Sequence, residues 1–583
     1  MITLIAVHLP TPDATRQWHH TKRPSSGLRR WLPLALIAGA LALRVALIAV
    51  GWPALDSDEG TMGLMARHIA YLRERPNFFA GQDYMGSLEA YLGAGAFSLL
   101  GASVFALRLG TIALFGSFLL VIYLLARLLY NRALALLTLA VLALGSPDML
   151  ARQVLATGGR METLLFGSLA LLLASWLSLT QRASNRGQSL RALAYAGWGL
   201  TIGVGVWSDL LILPFVSTAA ALLVTCCRRD LVRRGALPVL LGLLIGAAPL
   251  IGHNLAAKPG TDSWHVLHDL ERAGGTGTFV QVSPGQRLAG TILVSLPAAI
   301  GGNTLCPPAT TGADAALPPT VTLDRCTVVR GGWGLGYLAL WVLAALSTTT
   351  MCWRAWRCAR REGQASRAAL MVGRYQARLA LLGGTGLTLT LFAFSPAPAR
   401  DPWGTSRYLV GLLPAVPALL APLLTTLRGR GPAWVSGGLL LGTLFVTLLL
   451  GTVTTARAVP QAREVTRGQQ ALVESLLTHG STRVYSGYWT CNWLMFRSDE
   501  RVSCAVLEDD LRHGFDRDER YPALVHAGES PTYVFPLGSP SAAAFARSEG
   551  SAGRRYVDVI VAGYVIYAPA SSAATVPQEK MAP

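Results

Sequence analysis

Apolar residues in this chain run on in long blocks instead of alternating along strands or recurring on one face of surface helices. Through the first 455 positions the blocks follow one another. Each is about 20 residues, enough for a helix to cross about 30 Å of hydrocarbon. About eleven such blocks are readable, near 31–51, 107–129, 133–148, 161–179, 191–207, 210–227, 236–254, 332–350, 379–396, 408–427 and 433–455. The third is short and only Trp207, Ser208 and Asp209 divide the fifth from the sixth, so ten or twelve stay open. Three segments break the pattern. Residues 52–106 hold an acidic turn and two amphipathic stretches suited to lying at a membrane interface. Residues 255–331 are rich in Gly, Pro and Thr with little periodicity. From 456 to 583 a helical stretch (460–478) precedes β-rich runs, "TRVYSGYW", "RVSCAVL", "PTYVFPL" and "YVDVIVAGYVIY", as in a small α/β domain with a disordered last dozen residues.

The expected architecture is an α-helical polytopic membrane protein with about 11 transmembrane helices, outer juxtamembrane helices and a small soluble α/β C-terminal domain. Its parts are a tail (1–30), a transmembrane domain (31–455, with outer loops 52–106 and 255–331) and the C-terminal domain (456–583). Composition agrees: of 583 residues 52% are hydrophobic and 14% charged, where a soluble protein carries roughly a quarter charged residues.

Charge adds orientation. The net charge of +18 invites a nucleic-acid reading, but the arginines lie in short connections between apolar blocks. RRDLVRR (228–234) has four Arg against one Asp, and 352–378 has seven Arg against one Glu. Cytoplasmic loops retain such an excess, so the charge reports topology and no nucleic-acid partner is expected. "MITLIAVHLP" is too short for a signal-peptide core, and the basic stretch 19–30 follows it instead of preceding it. That basic stretch precedes the first span, which puts the N-terminus in the cytoplasm. An odd number of spans then leaves the C-terminus outside a cell (plasma or inner) membrane. The Arg-rich connections 127–132, 182–191, 228–234, 354–378 and 428–430 all fall inside on this count. Cysteines give a check independent of charge. Cys226, Cys227, Cys352 and Cys358 fall at inner ends, where thiols stay reduced. Cys306 and Cys326 share one outer loop and Cys491 and Cys504 share the outer tail, an even pair each, so Cys306–Cys326 and Cys491–Cys504 disulfides are expected.

Candidate chemistry gathers on the outer side. "DSDE" places Asp56, Asp58 and Glu59 just beyond the first span. Like charges this close repel, so a raised pKa or a cationic partner is expected for at least one of them. A carboxylate at the water–lipid boundary is suited to act as general base toward an acceptor hydroxyl. Asp83 and Glu89 follow in the same outer loop. Arg152, Arg160 and Glu162 mark the mouth of the fourth span, and Arg400, Asp401, Arg407 and Tyr408 the head of the tenth. Arginines beside acids at one membrane face suit a phosphate-bearing lipid whose tail stays in the bilayer, because guanidinium forks match phosphate oxygens. Arg44, inside the first span, is expected to pair within the bundle, since a lone cation there costs about 2.5 kcal/mol or more. Asp209 reads as a helix cap or, alternatively, as part of the lining of an outer cavity, and His253, His265 and His268 lack a matching zinc ligand set.

The order of these stretches resembles the polyprenyl-phosphate-sugar-dependent membrane glycosyltransferases of C-type fold, a family that includes protein O-mannosyltransferases and aminoarabinose transferases, and most of all its bacterial family 39 branch. "DSDEGTMGLMARHI", "GQDYMGSLEAYL", "GGRMETLLFGSLALLL", "SRYLVGLLPAVPALL" and, in the tail, "GYWTCNWLMFRSDERV" carry the likeness over most of the chain. The resemblance implies an acidic pair, Asp58-Glu59, with Asp58 the catalytic base, and a polyprenyl-phosphate-linked sugar as donor. It further implies attack with inversion on the anomeric carbon by an extracytoplasmic lipid, cell-wall glycan or protein acceptor. Asp56, Asp83, Glu89, Arg152, Arg160, Glu162, Arg407 and Tyr408 become candidate substrate-binding residues, with Arg407 first for the phosphate. The chain departs from the aminoarabinose transferases at Thr61, where they have Arg, and at Gly86 and Ser87, where they have Glu and Lys. Those cations and a metal ligand do not carry over. The sequence requires no cofactor, and a divalent metal stays open. A polytopic transporter or lipid flippase and an inactive relative acting as an assembly partner are the alternatives. Against the transporter, the acids cluster in an outer loop and the two halves of the chain do not look alike.

Overall fold

The computed structural model describes residues 27–180, 185–273, 282–306, 324–362, 367–427, 432–528, 531–552 and 556–569. Most of the expected N-terminal tail and the last dozen residues lie outside them. Among the described residues, eight helical stretches are long and apolar enough to cross a membrane. One of these, Leu210–Gly246, runs through two of the expected spans. The protein is a multi-pass membrane protein.

Where the helices depart from simple spans, Pro and Gly give the reason. The block expected at 133–148 forms only Arg132–Ala143, about 18 Å long at 1.5 Å per residue and short of the bilayer core. Pro147 cannot continue that helix and instead opens a new one, Pro147–Arg152, capped by the Ser146 hydroxyl at 3.3 Å from the Met149 N–H. The block expected at 408–427 begins as a tight 3-10 turn, Gly404–Ala415 with Pro414 inside, before Val416–Leu427 relaxes to α-helix. Residues 236–254 break at Ala247 into Ala236–Gly246 and Ala248–Ala256. The helices Asn185–Ser208 and Ala236–Gly246 touch backbone to backbone through glycines. A Cβ on Gly199 would lie 2.1 Å from the Val239 carbonyl oxygen, and one on Gly242 equally close to that of Ala196. The outer loop 255–331, irregular in its sequence pattern, contains the helices Ser263–Ala273, Pro284–Gly290 and Leu296–Ile300. Cys306 is bonded to Cys326 beside this loop.

Arg44 is fully buried in the first helix, Gly27–Ala49. It donates to the Ala40, Leu142 and Ala143 carbonyls and to the Gln153 side chain, and its guanidinium covers the Phe115 ring at 4.2 Å. It ties three parts of the bundle together.

On the outer side the first loop forms the helix Ser57–Arg67, a hairpin of β1 (Phe78–Phe79) and β2 (Gln82–Gly86), and the helix Leu88–Leu100. The C-terminal domain carries a five-stranded sheet of β3 (Arg483–Ser486), β4 (Ser503–Val506), β5 (Thr532–Pro536), β6 (Tyr556–Val561) and β7 (Tyr564–Pro569), in the order β4-β3-β5-β7-β6. β3 lies parallel to β4 and β5, and β7 antiparallel to β5 and β6. Between β3 and β4 runs the helix Tyr488–Arg497, whose Cys491 is bonded to Cys504 of β4.

The two outer units share a core. Met62, Leu64, Met65 and Phe79 of the loop are buried with Trp493, Leu494, Phe496 and Val484 of the domain. Two glycines let the helices meet. A Cβ at Gly60 would sit 2.6 Å from the Trp493 amide nitrogen, and one at Gly63 would sit 2.7 Å from the Phe496 ring. The C-terminal domain is thereby seated on the acidic turn.

Candidate active site

The acidic turn is the start of a helix, and its three carboxylates leave in different directions. Asp56 is the N-cap: its backbone is extended and its side chain accepts from the Glu59 N–H at 2.8 Å. Burial pushes the Asp56 carboxyl up to about 6, with the neighbouring Glu59 and Asp58 charges adding to the shift. Glu59 is fully buried and takes a forked pair from Arg108, Nε to Oε1 at 2.8 Å and Nη2 to Oε2 at 2.6 Å, while Oε1 also accepts from the Ala156 N–H. Arg108 in turn donates to the Pro53 carbonyl. Both carboxylate oxygens of Glu59 are therefore occupied by protein donors, whereas the sequence puts it in the catalytic pair with Asp58.

Asp58 is the acid that faces open space, its side chain 15% exposed. Its Oδ1 accepts from the Tyr488 hydroxyl at 2.5 Å and from Arg517 Nη2 at 3.0 Å, and Arg407 Nη1 stands 4.0 Å from Oδ2. Burial alone would raise the Asp58 carboxyl. Arg517, the Tyr488 hydrogen bond, Arg407 and Arg160 outweigh it and hold the group below the ordinary aspartate value. The charge expected of a general base is thus present, and Oδ2 accepts no hydrogen bond among the described residues.

Other acids build the wall. Glu89, buried, accepts from the Gly158 N–H at 2.8 Å, and burial raises its pKa. With the Glu59–Ala156 bond it pins the loop that turns on Gly158 and Gly159, both at positive φ, and so presents Arg160 at the head of its helix. Asp209 caps the next helical turn through the Leu211 N–H at 2.8 Å, the role expected of it. Glu162 is fully buried one turn inside, both carboxylate oxygens without a hydrogen-bond partner among the described residues. Asp83 lies apart from Asp58's partners: its side chain is 3.9 Å from His253 and its carbonyl accepts from Ser263.

The cations collect opposite Asp58. Arg407 is part-exposed, with its guanidinium over the Tyr408 ring at 5.3 Å. Asp401 is occupied elsewhere, accepting from the Gly404 N–H. Arg160 has no carboxylate within 4.0 Å among the described residues, yet its charge is felt at Asp56, Asp58 and Asp209. Arg152 donates to the Ser406 hydroxyl at 2.5 Å, next to Arg407. Tyr84 of β2 joins this side, its phenol pushed up to about 12 by burial and by Tyr408.

An apolar groove of about 570 Å³ lies along the same elements, lined among others by Met149, Trp333, Tyr337, Leu412, Leu413 and Leu448. Leu412 follows Arg407 by five residues on the 3-10 turn, about 10 Å at 2 Å per residue. Met149 shares its short helix with Arg152.

Sequence reading missed Arg108, Tyr84, Tyr488 and Arg517 as members of the site. Tyr84 and Tyr488 lie within the quoted motifs; Arg108 stands at the edge of an apolar block and Arg517 in an unremarked loop. Arg517, from the outer domain, and Thr61 line one cavity of about 170 Å³. No three His, Cys, Asp or Glu side chains converge as a metal set among the described residues.

No family model matches the sequence, and no curated protein matches it. Solved structures do. The model superposes on apo ArnT from Cupriavidus metallidurans with a TM-score of 0.51 at 13% identity, covering 95% of this chain and 100% of that one. ArnT bound to undecaprenyl phosphate gives 0.50 at 14% identity over the same shares. The Archaeoglobus fulgidus oligosaccharyltransferase with zinc and sulfate gives 0.50 at 14% identity, over 87% of this chain and 68% of that one. The fold is that of the C-type membrane glycosyltransferases. At such identity the likeness speaks for the fold, and it agrees with the resemblance read from the motifs.

Proposed function

We propose that the chain transfers a sugar from a polyprenyl-phosphate carrier to an acceptor outside the cell membrane. One observation carries the reading: Asp58, charged and part-exposed, keeps Oδ2 without a hydrogen bond among the described residues, 4.0 Å from Arg407, and an apolar groove lies along the helical turn that carries Arg407. The groove suits an isoprenoid tail and the arginines suit its phosphate. The undecaprenyl phosphate bound by ArnT, a protein of the same fold, supports that donor class. Both disulfides lie in the segments that topology assigns to the outside, as does Asp58, while Cys226, Cys227, Cys352 and Cys358 form no disulfide among the described residues and lie in the segments assigned to the inside. This distribution supports an N-terminus inside and a C-terminus outside.

In the reaction, Asp58 Oδ2 accepts the proton of an acceptor hydroxyl or amine as that atom attacks the anomeric carbon. The bond from that carbon to the phosphate oxygen breaks and its electron pair leaves with the polyprenyl phosphate. Arg407 and Arg160 stabilise the charge that develops on the leaving phosphate. A single displacement inverts the anomeric centre. Arg152 and Ser406 hold the start of the 3-10 turn in place, and Glu59 and Glu89 hold the loop that carries Arg160.

The test is mass spectrometry of surface glycoconjugates from cells with and without the protein. The expected result is loss of one sugar substituent together with accumulation of its polyprenyl-phosphate-linked form. Identical glycoconjugates and unchanged lipid-linked pools would remove the enzyme reading and favour a transporter or an inactive partner.

A further inference from the structure

We infer that the outer domain completes the site in cis: Arg517 and Tyr488 are positioning residues that fix Asp58 with its Oδ2 turned toward the substrate space. This rests on the reading of Asp58 as the base. The geometry is a closed triangle. Arg517 donates to the Tyr488 hydroxyl from Nε at 2.9 Å and from Nη2 at 2.6 Å. The hydroxyl, thus occupied as an acceptor, donates to Asp58 Oδ1, which also receives Arg517 Nη2. With Oδ1 held by two donors the carboxylate cannot rotate, and Oδ2 is the oxygen left for chemistry.

Arg517 is itself over-determined. Its side chain is 7% exposed, stacks on the Phe79 ring at 4.6 Å and donates to the Ala80 carbonyl, so the hairpin of the first loop grips it. At its base, residues 507–516 are cinched by a Leu507–His513 bridge and by the Asp516 side chain accepting from the Val506 N–H at 2.9 Å. Asp58 is the one carboxylate within ion-pair reach of Arg517 among the described residues. Tyr488 stands at the first turn of the helix seated on Gly60, so domain docking and carboxylate positioning are one event.

The charged and titratable groups facing Asp58 are Asp56 and Glu59 of its own helix, Arg160, Arg407, Arg517 and Tyr488. Of these, Arg517 is the closest cation. Removing it must therefore show in the protonation of Asp58, which a purely structural role would not move.

The experiment uses the full chain in membranes and dicyclohexylcarbodiimide, which modifies protonated carboxyls, with labelling of Asp58 read by mass spectrometry against pH. Arg517→Gln is expected to move the labelling midpoint up by about 1–3 pH units, Arg517→Lys by less, and Tyr488→Phe upward while keeping the fold. The acid limb of transfer activity should move with the labelling. A midpoint unchanged in folded Arg517→Gln or in Tyr488→Phe overturns the inference. Should Arg517→Gln fail to fold, Tyr488→Phe and Arg517→Lys decide. Labelling that shifts as expected, in a protein for which Asp58→Asn leaves transfer intact, would sink the base assignment and not the positioning contact, so the two failures are distinct.

Discussion

Glu59 and Asp58 are neighbours in sequence, yet Glu59 is buried on Arg108 while Asp58 is part-exposed, and a double-mutant cycle tests the proposed division of work between them. Glu59 is fully buried, and its oxygens are filled by two Arg108 donors and the Ala156 N–H. Replacing Arg108 with Met leaves a buried carboxylate with one amide partner. Breaking a buried ion pair from one side costs about 3–5 kcal/mol, more than a hundredfold in the folding equilibrium. Glu59→Gln leaves Arg108 as the stranded charge, softened by its bond to the Pro53 carbonyl at 2.9 Å, and should fall in the lower part of that range. The pair Glu59→Gln with Arg108→Met removes both charges and keeps an acceptor for Ala156. It should therefore be less destabilised than Arg108→Met alone, because the desolvation cost goes with the charges. The assay is thermal unfolding of detergent-purified protein followed by loss of monodisperse protein, with transfer measured per folded molecule. Glu59→Gln is expected to lower stability while the folded fraction keeps transferring. Normal stability with abolished transfer would put Glu59 back in the chemistry and refute the reasoning.

Three further outcomes follow from the same geometry. Arg407→Gln should raise the apparent KM for the lipid-linked donor at least tenfold and weaken binding of undecaprenyl phosphate, read by native mass spectrometry, with Arg407→Lys intermediate; unchanged binding would exclude Arg407 from the phosphate seat. His68 contacts Glu500 at 2.9 Å and Glu74 at 3.4 Å, and the Glu500 hydrogen bond raises its pKa. A His raised above its unfolded value near 6.5 contributes stability that is full below that pH and is lost as pH climbs through the folded value. The thermal midpoint should therefore fall across that window in the wild type and not in His68→Asn. Gly199→Val should cost about 1–3 kcal/mol by forcing apart two helices in backbone contact, seen as a lowered thermal midpoint, with Leu200→Val as the silent control.

The spans were legible because a bilayer imposes a length of about 20 apolar residues whatever the tertiary partner. The cysteine pairing was legible because each segment expected outside holds an even pair, and Cys306–Cys326 and Cys491–Cys504 are bonded. The acidic turn drew attention through its local charge density. What could not be read was which acid met which cation. Arg108 looks like the polar fringe of an apolar span, and its tie to Glu59 bridges 49 positions. Arg517 reaches Asp58 across 459 positions. Such pairings leave no period in the chain, and the glycines that permit them, Gly60 and Gly63, read as ordinary helix-weakening residues until the facing helix is in place. The short third block was visible as short, but its end depended on Pro147 opening a new helix instead of closing the old one.

The most direct measurement is turnover of a polyprenyl-phosphate-linked sugar by the purified chain in liposomes, wild type against Asp58→Asn. Asparagine preserves the size of the side chain and an oxygen for Tyr488 but cannot take a proton. Transfer should fall by about 10²–10⁴-fold while undecaprenyl phosphate still binds and the protein remains folded. Wild-type transfer by folded Asp58→Asn protein would contradict the account.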